Sequence, residues 1–134
     1  MKKTLLLALT LIAVGCGPMD VTLTHTVTSL EFDEDTNRWE CRFTLNAEGS
    51  VFSFGQEARW VDGEINYRDR AGGTVELNDV ELLDHFGTDR LRRGESLSAP
   101  RMFTLADTVG TLQYTLRLQL SDSSRISRTT FVNC

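Results

Sequence analysis

The stretch Trp39-Glu40-Cys41-Arg42-Phe43-Thr44-Leu45-Asn46-Ala47 alternates apolar and polar side chains without a break. Successive side chains of a strand point to opposite faces. Trp39, Cys41, Phe43, Leu45 and Ala47 therefore read as a buried face, and Glu40, Arg42, Thr44 and Asn46 as the other. The same period recurs in Leu112, Tyr114, Leu116, Leu118 and Leu120 against Gln113, Thr115, Arg117 and Gln119, and in Val21, Leu23 and Val27 against Thr22, Thr24, Thr26 and Thr28. Weaker strands are expected over 59–69, 74–83, 97–106 and 125–133. Gly- and Asp-rich breaks at 33–37, 48–50, 71–73, 86–94 and 121–124 separate them. Asp62-Gly63 is a further hairpin candidate that would change the strand count. No amphipathic helix of useful length, internal repeat or low-complexity tract is visible.

A chain of 134 residues holds one compact core. With 25% charged residues, neither wholesale disorder nor a multi-pass membrane protein fits. The net charge of −5 argues against nucleic-acid binding. Seven short strands in the remainder suit an all-β, seven-stranded antiparallel immunoglobulin-like sandwich, with a small β-barrel as the alternative.

The first sixteen residues follow another plan. Lys2 and Lys3, the only lysines, precede an apolar run from Leu5 to Val14 that is broken only by Thr10. Ten helical residues span about 15 Å, half the hydrocarbon core, too short for a transmembrane anchor. The order of positive region, apolar region and small residues is that of a secretory signal peptide. Ala13-Val14-Gly15-Cys16 resembles the lipobox of bacterial lipoproteins, with Ala13 where Leu is usual; a plain secretory signal cleaved elsewhere is the competing reading. The resemblance implies that 1–15 are removed, that Cys16 becomes an acylated N-terminus, and that 16–20 tether a domain over 21–134 to the bilayer. Gly17 after the cysteine resembles an outer-membrane address, so the expected location is the bacterial cell envelope, outer rather than inner membrane. Without the leader the chain carries twelve arginines, no lysine and nineteen acidic residues, a net charge of −7.

Cys41 and Cys134 then remain in a compartment that permits disulfides. Pairing them closes a loop of about ninety residues, worth on the order of 4–5 kcal/mol. If seven strands alternate in direction, the second begins and the seventh ends at one pole, and both cysteines share the parity of apolar neighbours. Two separately buried thiols are the competing reading. The Tyr114 strand resembles the F strand of immunoglobulin- and fibronectin-III-like domains. The segment 91–96, with Gly94-Glu95-Ser96, resembles the entry to a late strand in bacterial adhesion-type sandwich modules. The Cys–Trp–Cys spacing of a true immunoglobulin domain is missing, because Cys134 ends the last strand.

Few residues suggest chemistry. Asp33, Asp35 and Asn37 open like a calcium loop, but Arg38 stands where the turn Gly belongs and Thr44 where the bidentate Glu belongs. A polar turn is the simpler reading. His25 reads as a half-buried core histidine. His85 follows Asp84 with no nucleophile elbow beside it. No catalytic residue, metal site or cofactor is expected. Arg90, Arg92 and Arg93 form a basic cluster in a loop at the tether end, a candidate contact with anionic lipid. Trp60, Phe52 and Phe54 are candidate ligand or partner contacts, and the Trp60-Val61 pair breaks parity as a bulge would. The expected function is a membrane-anchored, non-enzymatic interaction or assembly module with an envelope protein as partner; a small-ligand or glycan binder is the alternative.

Overall fold

β7 (Thr111–Leu120) runs through the middle of the larger of two antiparallel sheets, as a computed structural model describing residues 19–50, 57–68, 72–106 and 110–134 lays them out. Its inward residues Leu112, Tyr114, Leu116, Leu118 and Leu120 are all buried, matching the period-two reading. β3 (Glu57–Arg68) pairs with one side of β7, and β8 (Arg125–Asn133) with the other. The smaller sheet has the order β1 (Val21–Asp33), β2 (Arg38–Gly49), β6 (Ser96–Leu105). Phe43, Leu45 and Ala47 of β2 face the larger sheet and are buried. The architecture is a sandwich, and neither sheet closes into a barrel.

The free edge of β3 carries β4 (Gly73–Asn78) against Asp62–Tyr67 and β5 (Arg90–Arg92) against Glu57–Arg59. Both are antiparallel to β3, so they are two halves of one edge strand. Eight strands appear among the described residues where seven are expected, because this strand is interrupted by a helix, α1 (Asp79–Phe86). The segment 74–83 therefore stops being a strand at Asn78, and the break at 86–94 contains β5. Asp62-Gly63 lies inside β3 and makes no turn. At Gly63 the backbone of β7 comes so close that a β-carbon would meet the Thr115 carbonyl oxygen at 3.0 Å. The register slips between Trp60 and Asp62, the bulge that the parity break predicts.

The helix has local signals that alternation obscures. Asn78 is extended, and its side-chain oxygen accepts from the Glu81 N–H at 2.9 Å. Asp79 and Glu81 place negative charge in the first turn. Gly87 closes the helix in the left-handed region (φ 74°) and donates to the Leu83 carbonyl. Leu82 and Phe86, one turn apart, are buried. α1 packs on β3, β4 and β6 and so covers one side of the sandwich. Asn78→Ala is expected to cost about 1 kcal/mol in urea denaturation. An unchanged midpoint would show the cap to be idle.

The sheets are joined at the pole opposite the chain entry. Cys41 on the inner face of β2 is bonded to Cys134 just past β8, with Cα atoms 5.9 Å apart. At the entry pole Met19 is buried and Asp20 accepts from the backbone of Ser50. The packing thus includes Met19, within the expected tether.

Candidate interaction surface

A β-sandwich has four exposed edges, and each must be blocked or used. Three of them are blocked here. The β4/β5 edge is short and broken by α1. The β6 edge carries Pro100, which has no N–H to offer, and lies beside the helix. The β8 edge turns toward the first half of β1. There Arg128 Nε donates to the Val21 carbonyl at 2.7 Å, its Nη2 bonds Asp20 at 2.6 Å, and His25 Nδ1 meets Thr130 Oγ1 at 2.6 Å. His25 is half-buried and partnered, as expected.

The second half of β1 is different. A bulge between Val27 and Ser29 absorbs one residue. Val27 pairs with Phe43, Leu30 with Cys41 and Phe32 with Trp39, all on the inner side of the sheet. Without the bulge, Leu30 and Phe32 would turn outward. Yet Val27, Leu30 and Phe32 are 39%, 37% and 44% exposed. Beyond His25 no hydrogen bond among the described residues ties β1 to β8. The corner between them is open, with Phe32 tilted against Trp39 at 5.2 Å between ring centres.

The outer face of the same half-strand is acidic. Glu31 sits directly opposite Glu40, a like-charge pair, while Asp33 faces Arg38 and Ser29 faces Arg42. Arg42 compensates Glu40 at 3.6 Å. Glu34 and Asp35 continue the charge into the β1–β2 turn. Asp33 Oδ1 accepts from the Asp35 N–H at 2.9 Å, and Asn37 takes a left-handed conformation (φ 56°), so these residues build the turn.

The other residues singled out in the sequence are dispersed. Trp60 is not a surface contact: it is 5% exposed, stacks on Phe86 at 4.7 Å, and donates from Nε1 to the Thr88 carbonyl at 2.6 Å. The bulge turns it under α1, which the sequence reading lacked. Phe52, Phe54 and Cys16 lie outside the described residues. Arg90 bonds Glu57 at 2.9 Å and Asp89 at 2.9 Å, and its guanidinium holds the Asp89 carboxyl below the ordinary range. Arg92 and Arg93 are exposed in the turn at the entry pole, where Gly94 and Glu95 bond Gly49.

Three buried polar atoms lack hydrogen-bond partners among the described residues: Arg38 Nε, His85 Nδ1 and Tyr114 Oη. Burial pushes the Tyr114 phenol up to about 12, and burial with Arg101 nearby lowers His85. The folded chain keeps Tyr114 protonated where the unfolded chain ionises it. Its stabilising contribution is therefore full below pH 10 and lost as pH rises toward 12. Tyr114→Phe is expected to match or exceed the wild type at pH 7. It should also abolish an alkaline loss on the order of 2–3 kcal/mol, read from urea midpoints between pH 9 and 12. An alkaline loss of the same size in the variant would assign it elsewhere.

No protein-family model matches the chain, and no curated protein matches it. Solved structures share its fold. The ApaA protein from Bordetella pertussis superposes with a TM-score of 0.65 at 14% identity, over 86% of this chain and 92% of that one. The structural-genomics target SoR45 superposes with a TM-score of 0.62 at 12% identity, over 87% of this chain and 84% of that one. At such identities the likeness concerns the fold.

Proposed function

We propose that the protein is a lipid-anchored, non-catalytic interaction module of the bacterial cell envelope. The observation that carries this reading is the open half of β1: three apolar side chains aimed inward at a corner that nothing in the described chain covers. An uncovered edge beside apolar side chains is how sandwiches receive partner strands. The signal-like leader ending in Cys16 supplies the anchor. Because Met19 is packed in the core, only Gly17 and Pro18 separate Cys16 from the domain, a reach of about 10 Å. The domain would then stand on the membrane, with the β1–β2 turn and the open corner at the pole that faces away. Arg92 and Arg93 would lie nearest the lipid headgroups, while Arg90 is already paired with carboxylates.

Radiolabelled palmitate should enter the wild-type protein and not Cys16→Ser, and in-cell crosslinking from the open corner should recover an envelope protein. Absence of label, or adducts with lipid alone, would overturn the reading. A ligand-binding alternative keeps one favourable observation. A shallow outer groove of about 440 Å³ is lined by Asn66, Gln113 and Thr111 beside Phe131, which is 58% exposed.

A further inference from the structure

The open half of β1 has a chemistry of its own, and it specifies more than a generic partner. A strand added to its free edge would extend the β1–β2–β6 sheet. Its alternate side chains would fall on the two faces already described. On the inner face they would meet Val27, Leu30 and Phe32, so apolar residues are required there. On the outer face they would lie beside Ser29, Glu31 and Asp33. Glu31 is the decisive neighbour. It faces Glu40 across the ladder and forms no ion pair among the described residues, whereas Glu40 is already engaged with Arg42. Glu34 and Asp35 add negative charge at the end of the strand and form no ion pairs among the described residues either. A lysine or arginine on the incoming strand would relieve the Glu31–Glu40 repulsion, and a carboxylate would aggravate it.

The same charges bear on self-association. Two copies pairing edge to edge through β1 would bring their acidic half-strands together, in a chain whose net charge is already −5. We infer that the second half of β1, from Val27 to Asp33, receives an extended segment of a partner protein in which apolar residues alternate with lysine or arginine. The apolar set enters the corner beside Leu30 and Phe32 and the basic set lies over Glu31. The inference rests on the interaction-module reading and names the partner chemistry of that site.

The test uses the full-length protein in mild detergent and a synthetic peptide of about ten residues in which valine and lysine alternate. Binding should slow amide exchange within 27–33 and weaken with salt. A peptide alternating valine and glutamate should not bind. Glu31→Lys should weaken the valine–lysine peptide about tenfold. The variant should also unfold at the same or a higher urea concentration, because it removes the like-charge pair. Reduced affinity with undiminished stability is a combination that damage to the fold would not give. Glu31→Gln should fall between wild type and Glu31→Lys. Equal binding of the two peptides, protection elsewhere in the chain, or a peptide-free dimer protected at 27–33 would overturn the inference. The last of these would assign the edge to a second copy.

In cells, the photoreactive substitution Phe32→p-benzoylphenylalanine separates the two levels of proposal. An adduct mapped to an alternating apolar and basic segment of an envelope protein supports both. An adduct with a protein region lacking that pattern overturns the partner chemistry and leaves the interaction module standing. Recovery of lipid alone overturns the module itself.

Discussion

Reduction of the Cys41–Cys134 bond is expected to destabilise the domain by about 4 kcal/mol, lowering its thermal midpoint by roughly 15 °C. The bridge spans 93 residues of sequence, so in the unfolded chain it removes the freedom of nearly the whole domain. In the folded chain it joins β2 of one sheet to the end of β8 in the other. Cys41 is fully buried, and the bond displaces no helix or turn. The double substitution Cys41→Ala/Cys134→Ala should match the reduced protein within about 1 kcal/mol, with a further small loss from the vacated volume. Thermal unfolding with and without reductant measures the effect. Alkylation should add two labels only after reduction. Labelling of both cysteines in the unreduced, denatured protein would show that the bridge is absent.

Trp60→Ala is expected to cost about 3–5 kcal/mol, as truncating a buried tryptophan does elsewhere. Three interactions go at once. The indole leaves the core beneath α1, its stacking on Phe86 is lost, and the Thr88 carbonyl loses its donor. Because Phe86 and Leu82 are what hold the helix down, the loss should spread to α1, and amide exchange in 79–86 should rise more than in β7. Trp60→Phe keeps an aromatic face against Phe86 and gives up the hydrogen bond, so a loss of about 1–2 kcal/mol is expected. A surface tryptophan kept for a ligand would behave otherwise: its removal would move stability by no more than about 0.5 kcal/mol. Urea denaturation of the two variants therefore separates a core role from a glycan platform.

Much of this molecule was legible because alternation is a local property. In β2 and β7 the inward and outward sets are consecutive in sequence, and the inward sets are buried apart from the half-buried Trp39, while Thr115 of the outward set is covered as well. α1 was harder to see. Val75 and Leu77 continue the strand pattern up to its first residue, and eight residues are too few to establish a helical period against it. Its signals were nevertheless present: Asn78 as cap, Asp79 and Glu81 in the first turn, Gly87 at the end. Missing that helix also misplaced Trp60, since the residue that breaks parity at a bulge is exposed or covered according to what packs over it. The β1 bulge had a trace as well, in the three-residue step from Val27 to Leu30, which strict alternation does not allow.

By itself the sequence determined the all-β class, the inner faces of β2 and β7, Cys41 and Cys134 as the candidate disulfide pair and a leader resembling that of a lipoprotein. These follow from nearest-neighbour geometry and from the chemistry of single residues. Only the tertiary structure decided which edges are closed. Whether a strand's apolar face is buried depends on the sheet opposite, and β1 meets β8 at His25 and Thr130 while no hydrogen bond among the described residues joins these two strands beyond them. Leu30 and Phe32 therefore carry the pattern of core residues and yet stand partly in solvent, because burial is a property of two surfaces and a strand encodes only one.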